Sequence, residues 1–369
     1  MGYGNYPDLS GVKRILVIKL RHLGDVLLTS PVFSHLKKKL PHAEIEALIY
    51  KETFPLLEGH PAISHFLFWE RQWKTLPFHK KLFRELRLWK EIYDRKYDLV
   101  INLTEGDRGA LAALVSRSPY RVGFDPADKG FMFKEKIYTH LVKNCSKPRH
   151  AVEKNLDALR RIGIFPKPEE RDLFLHVPDS AIKNIKKFLQ EANVVPGDYL
   201  VIHPVSRWLF KCPPAEKIAE VIQRLDALGY KVVLTSGPDR NECNRLERIE
   251  ELCAPISILN LGGKISVKEL AALIRMSRAL ICVDSVPLHI ASALKTPLVA
   301  LFGPTSEVNW GPWMHPSYRV IAHPISCRPC LLDGCGGSKM SDCLYALSVD
   351  AIVGAVQELI CKIFQQEKI

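Results

Sequence analysis

Residues 13–40 read KRILVIKLRHLGDVLLTSPVFSHLKKKL. The first eight are an apolar run that stops at Lys19-Leu20, the signature of a buried strand. A short polar loop follows, Arg21-His22-Leu23-Gly24-Asp25. Val26, Leu27, Val32, Phe33 and Leu36 then recur with helical spacing, which predicts a helix over 25–40. A buried strand that passes straight into a helix opens a βα unit of a parallel sheet. Asp25 stands at the junction. It is either a helix N-cap, worth about 1 kcal/mol, or a base or ligand anchor at the carboxyl end of a strand, where open α/β sheets bind ligands. The roles are compatible only in part, because a carboxylate that accepts backbone hydrogen bonds is a weaker base.

The alternation continues. Strands are expected at 43–50, 97–103 and 121–124, and a helix at 79–96 with Leu82, Leu86, Trp89 and Tyr93 on its packed side. It then restarts: helices at 181–193, 214–228, 267–276 and 288–294 interleave with strands at 199–203, 231–235, 279–283 and 297–302. A final helix over 348–364 carries Ile352, Val356, Leu359 and Ile363 on one side. The chain therefore reads as two doubly wound α/β domains with a boundary near 175–180, and the cleft between two such domains is the default ligand site.

The chain has 369 residues, 47% apolar and 25% charged, ordinary for a soluble two-domain protein. Its net charge of +12 favours an anionic partner. No apolar run approaches membrane-span length, and the N-terminus lacks a signal-peptide pattern, so a cytoplasmic location is expected. Cysteines 145, 212, 243, 253, 282 and 361 are scattered like free thiols. Cys327, Cys330, Cys335 and Cys343 cluster as C-x2-C-x4-C-x7-C. That spacing admits a structural metal but lacks paired CxxC knuckles, so metal, disulfide and free thiols stay open, with packing thiols the expectation.

Three further loops follow expected strands. HPVSRWLFK, 203–211, offers Ser206, Arg207 and Lys211 to phosphate oxygens, or is a solvated basic loop. TSGPDRNE, 235–242, offers Asp239 or Glu242 to ribose hydroxyls, or is helix-start charge. VDSVPLHIA, 283–291, places Asp284 and Ser285 at a helix N-terminus that suits an anion, or that is simply capped. No GxGxxG or P-loop sequence occurs. The stretch 69–96 is basic with interleaved Trp69, Trp73, Phe78 and Trp89, which suits an anionic membrane or phosphorylated acceptor, or a solvated helix face.

Taken together, KLRHLGDVLLTSP, YDLVINLTEGDRGA, HAVEKNLDALRRIG, HPVSRWLFKCPP, LTSGPDRNE and VDSVPLHIASALKTPLVALFGPT resemble the ADP-heptose:lipopolysaccharide heptosyltransferases over nearly the whole chain. INLTEGDRGA and DSVPLHIA are most similar to the third-heptose, core-branching type. The resemblance implies a GT-B fold: two Rossmann-like domains facing across a cleft. Residues 1–176 would bind acceptor, 177–347 would bind ADP-heptose, and the helix of 348–369 would pack back on the N-terminal domain. It also implies inverting, metal-independent transfer of heptose to an inner-core sugar of lipopolysaccharide, with no cofactor, at the cytoplasmic face of the inner membrane.

By the same resemblance, Asp25 matches the catalytic aspartate. Ser206 and Lys211 match the phosphate-binding pair, Asp239 the acidic ribose ligand, Asp284 the acid on the donor heptose, and Ser285 the start of the pyrophosphate turn. Val286 stands where glycine can occur in that turn. Gly263 falls where adenine is expected, and His289 joins the donor set. Arg21, Lys80, Lys81, Arg84, Asp107 and Arg108 are the acceptor-side candidates. The expected partners are ADP-heptose, the inner-core acceptor and an anionic membrane surface. Nucleic acid is not expected, because acids in the strand-end loops would repel phosphates. The alternatives are another nucleotide-sugar transferase, a first- or second-heptose enzyme, or a non-catalytic basic protein of the membrane surface.

Overall fold

The computed structural model describes residues 6–127, 130 and 133–366, with side chains of the closing helix described as far as Cys361. It divides into two compact units, Met1–His176 and Val177–Ile369. In chain order the first holds β1 (Arg14–Lys19), α1 (Leu23–Leu27), α2 (Ser30–Lys39), β2 (Glu44–Tyr50), β3 (His65–Trp69), α3 (Phe78–Asp94), β4 (Leu99–Asn102), α4 (Asp107–Val115), β5 (Tyr120–Phe124), β6 (His140–Val142) and α5 (Ala151–Arg160). The second holds α6 (Asp179–Glu191), β7 (Tyr199–His203), α7 (Ala215–Ala227), β8 (Lys231–Leu234), α8 (Arg240–Cys253), β9 (Leu259–Asn260), α9 (Val267–Arg275), β10 (Ala279–Val283), α10 (Val286–Leu294), β11 (Leu298–Phe302), α11 (Glu307–Trp310), β12 (Tyr318–Ala322), α12 (Asp342–Tyr345) and α13 (Val349–Gln366).

Each sheet is parallel and six-stranded, in the orders β3-β2-β1-β4-β5-β6 and β12-β11-β10-β7-β8-β9. Counted from each unit's own first strand, both are 3-2-1-4-5-6, the doubly wound order. Ile15 to Ile18 are buried on both faces of β1, and Leu200 to Ile202 on both faces of β7, which explains the unbroken apolar runs. Strand order reverses between β1 and β4 and again between β7 and β10. The loops after these four strands flank the crevices in which such sheets bind ligands.

Three expectations need correction. The helix over 25–40 is two helices: Pro31, at the start of α2, has no N–H to continue the ladder, and the Thr29 hydroxyl donates to the Val26 carbonyl instead. The edge strands β3, β6, β9 and β12 lacked a readable pattern; β6 and β9 have three and two residues. On α3, Leu82, Leu86 and Tyr93 are exposed, whereas Leu88 and Ile92, one stripe over, pack with Trp69 and Trp73. The closing helix α13 buries Ile352, Val356 and Leu359 in one core with Val221 and Ile222 of α7. Its Ile363 side chain and residues 367–369 lie outside the described residues.

Candidate active site

In the first unit the crevice is built from the ends of β1 and β4. The pairing continues past the strands: Leu103 N–H donates to Ile18 O at 2.9 Å, and Leu20 N–H to Thr104 Oγ1 at 2.8 Å. Beneath this seam sits Lys19, which interrupts the apolar strand. Its buried Nζ donates to Leu103 O at 3.0 Å and Asn155 Oδ1 at 3.1 Å, and Asn155 Nδ2 donates to Leu28 O at 3.0 Å. Burial pulls the Lys19 ammonium down to about 8; the Asp25 and Glu105 carboxylates oppose that, while Arg21 and Lys154 add to it. The lysine thus ties β1, β4, the α1–α2 break and α5 together directly beneath the polar loop.

Asp25 lies in the third position of α1, not at its cap; His22 is the cap. The carboxylate accepts the His22 N–H at 3.3 Å, a long bond that leaves its second oxygen available. Asp25 is therefore not the helix cap that one reading expected; it makes a weak contact with the helix start and is a half-buried carboxylate beyond the strand end.

Around this loop the structure gathers an aromatic and basic cluster. Arg71 Nη2 donates to Arg21 O at 3.2 Å, its Nε meets Glu52 Oε1 at 2.9 Å, and its guanidinium lies 4.3 Å from the Tyr50 ring centroid. Arg108 donates to Tyr50 Oη at 3.2 Å and lies 5.2 Å from the Trp69 ring. Asp107, on the first turn of α4, pairs with the buried Lys134 at 3.0 Å. Arg21 and Arg108 are thus brought into one neighbourhood and Asp107 is bound to a lysine. Lys80, Lys81 and Arg84 instead stand on the first turns of α3, with no ion pair among the described residues. Sequence reading overlooked Lys19, Asn155, Tyr50 and Arg71 as a set. The signal for Lys19 was its place at the end of a buried apolar strand, where an ammonium must find partners.

In the second unit, β7 leads into a tight turn. Ser206 N–H donates to Cys212 Sγ at 3.2 Å, Trp208 N–H to Ser206 Oγ at 3.3 Å, and Lys211 N–H to Trp208 O at 2.9 Å. The turn delivers Lys211 Nζ to Asp284 Oδ2 at 2.7 Å. Two expected donor residues, from the loops after β7 and β10, are thus one largely buried ion pair. Ser285 begins α10 with extended backbone and turns its hydroxyl back to Val283 O. Val286 enters the helix directly, so this turn needs no glycine. His289 is buried in α10. His203 is a core histidine: its Nδ1 meets Thr235 Oγ1 at 2.9 Å, and burial pulls its pKa down to about 3.

Asp239 and Glu242 have separated roles. Asp239 is exposed and caps α8, accepting the Asn241 N–H at 2.9 Å. Glu242 is buried, accepts the Gly237 N–H at 2.8 Å, and is raised above the usual carboxylate range by burial. Gly263 abuts the same loop with φ +65°, and a Cβ there would meet Cys243 Sγ at 3.0 Å. The positive φ and the close approach both call for glycine, and the position keeps the backbone near Gly237 open.

The cysteine cluster carries no disulfide: Cys327 and Cys335 are exposed, Cys330 is half-buried and Cys343 is buried. Burial raises the Cys343 thiol, the three neighbouring thiols add to this, and Arg328 opposes it. Among the described residues no three His, Cys, Asp or Glu side chains are gathered so as to hold a metal ion. No described helix is long and apolar enough to cross a membrane.

Comparison with known proteins converges on one family. Residues 85–340 match the model of "Glycosyltransferase family 9 (heptosyltransferase)". The chain is 35% identical to lipopolysaccharide heptosyltransferase 3 of Escherichia coli over 80% of this chain and 84% of that protein. Its fold matches a family 9 glycosyltransferase from Veillonella parvula with TM-score 0.80 and 24% identity, covering 97% of this chain and 99% of the other. It matches E. coli heptosyltransferase WaaC, solved with ADP, with TM-score 0.72 and 20% identity, covering 94% and 99%. The fold is accordingly GT-B, and the chain belongs to glycosyltransferase family 9, the heptosyltransferases.

Proposed function

We propose that the protein transfers L-glycero-D-manno-heptose from ADP-heptose to an inner-core sugar of lipopolysaccharide, as a third-heptose enzyme on the cytoplasmic face of the inner membrane. The observation that carries this reading is the Lys211–Asp284 pair at the point where the second sheet reverses strand order. A largely buried lysine beside a helix N-terminus suits a diphosphate, and a carboxylate beside it suits sugar hydroxyls. When donor binds, Lys211 turns to the phosphate oxygens and Asp284 to the heptose. Ser206 and the backbone at Ser285 add donors to the diphosphate, and His289 supports the start of α10 from within. Glu242, rather than the capping Asp239, takes the ribose diol, with adenine against Gly263.

Asp25 acts as general base, taking the proton of the acceptor hydroxyl as that oxygen attacks the anomeric carbon. ADP leaves and the configuration inverts. Arg21, Arg71 and Arg108 hold the anionic acceptor, with Asp107 fixed behind them by Lys134. Lys211 and the α10 N-terminus stabilise the charge on departing ADP, so no metal is required. The likeness to heptosyltransferase 3 supports the acceptor class.

The test is mass spectrometry of products from ADP-heptose and defined truncated core acceptors, with and without EDTA. One added heptose on the acceptor that lacks only the branching heptose, undiminished by EDTA, is expected. Transfer only to acceptors lacking the first or second heptose would reassign the enzyme, and loss of turnover in EDTA would remove the metal-free mechanism.

A further inference from the structure

The first half of α3 is unusual for a helix that covers a sheet. Phe78, Phe83, Leu86 and Leu82 are 78%, 67%, 55% and 41% exposed. Only from Leu88 onward does the helix bury apolar side chains, through Leu88 and Ile92 against Trp69 and Trp73. On the 3.6-residue period Phe78, Leu82 and Leu86 form one stripe next to the buried one, and Phe83 lies further round, between that stripe and Arg87, Lys80 and Arg84. From Phe78 through Lys90 the helix carries five lysines and arginines and one acid, Glu85. The helix thus has three faces: one packed on the protein, one apolar and uncovered, and one cationic.

We infer that residues 78–87 of α3 are a membrane-docking element that inserts Phe78, Leu82, Phe83 and Leu86 into the headgroup boundary of an anionic bilayer. The charge pattern selects this occupant. A second copy of the chain would offer this basic helix only another basic helix, whereas anionic lipid complements the cations that flank Phe83 and accepts the rings between headgroups. Two large aromatics beside a basic face are the composition of an interfacial helix, and the +12 charge of the whole chain acts in the same direction. Docking through α3 would also tether the unit that bears Asp25 at a lipid surface. The inference rests on the proposed lipid-linked acceptor for its purpose, but not for its measurement.

The experiment is co-sedimentation of the full chain with vesicles of phosphatidylethanolamine and phosphatidylglycerol, free of lipopolysaccharide and ADP-heptose, and with phosphatidylcholine vesicles. The wild type should sediment with the anionic vesicles only, and less at high salt. Phe78→Ser with Phe83→Ser should lower partitioning by about tenfold or more, consistent with the loss of two buried rings. Because both side chains are exposed, the variant should keep the wild-type melting temperature and its transfer to a short water-soluble acceptor. Binding of the variant equal to wild type, no binding by wild type, or equal binding to neutral vesicles would overturn the inference. So would a concentration-dependent dimer in sedimentation velocity that the variant abolishes, since the stripe would then be covered by a second copy. Failure of heptose transfer with vesicle binding intact would instead count against the proposed function alone.

Discussion

The two units are built on the same strand order, yet they hold their charges differently. In the second unit the cation and the anion of the crevice are already locked together, Lys211 to Asp284 at 2.7 Å, on a turn closed by Ser206 and Cys212. In the first unit the buried cation, Lys19, is satisfied by a carbonyl and an amide, while Asp25 above it keeps only a 3.3 Å bond to a backbone N–H. One crevice holds its charges in a direct ion pair; the other holds its carboxylate on a long backbone bond. On the proposed mechanism, that difference would separate a site for holding a charged leaving group from one for proton transfer.

The largest effect should come from the free carboxylate. Asp25→Asn keeps the shape and a weak contact to His22 but removes the base. Turnover should fall by about 10²–10⁴-fold, while ADP affinity in calorimetry stays within a few-fold. Near-normal turnover would reduce Asp25 to a helix-start residue and erase the functional contrast between the units.

Next comes the locked pair. Lys211→Met removes charge-assisted hydrogen bonds to the diphosphate, so ADP should bind about 10–10²-fold more weakly. It also leaves Asp284 buried without its partner, so the melting temperature should drop. Adding Asp284→Asn should restore the melting temperature without restoring ADP binding. If the double variant stayed as unstable as the single one, the pair would not be the element that stores the site's charge.

Lys19 tests the other crevice through pH. Its folded pKa of about 8 lies below its ordinary 10.5, so in this window the unfolded chain binds more protons than the folded one. Stability therefore rises with pH as this lysine is neutralised, by up to about 1.4 kcal/mol per unit. The melting temperature of the wild type, measured relative to Lys19→Met, should climb between pH 8 and pH 10 and be flat below pH 7. A flat difference throughout would mean that the ammonium is not held in a buried site.

The sequence was most readable where local physics and tertiary packing agree. Residues 199–203 and 279–283 are strands to the residue, because continuous apolar runs bounded by turns have few other uses in a doubly wound sheet. Asp25, Lys211 and Asp284 were readable as candidates for a related reason, since each falls in the segment that joins a buried strand, β1, β7 or β10, to the next helix or lies in that helix's first turn. Their pairing was not, because 73 positions separate Lys211 from Asp284 and only the fold brings them together. The α3 stripe misled for a different reason. Leu82, Leu86 and Tyr93 repeat as well as any packed face, and periodicity cannot tell which of two adjoining stripes the sheet will cover. Lys19 was visible as an interruption, but its partner Asn155 lies on α5, far along the chain.

The smallest effect should separate two neighbouring acids on α8. Asp239 and Glu242 stand three positions apart at the end of β8, and sequence reasoning admits both as ribose ligands. Asp239 is exposed and already caps the helix, so Asp239→Ala should cost about 1 kcal/mol of stability and leave ADP affinity within about twofold. Glu242 is buried beside Gly237, and its raised pKa marks a carboxylate short of polar partners, which a pair of ribose hydroxyls would supply. Glu242→Gln should weaken ADP by roughly three- to tenfold, about one hydrogen bond's worth. It should weaken AMP by the same factor, because the lost contact is to the ribose and not to the diphosphate. Equal, small effects from both variants would move the ribose away from the β8 loop. A loss specific to Asp239→Ala would mean that the cap opens on binding, and that the second crevice is less preorganised than its locked lysine suggests.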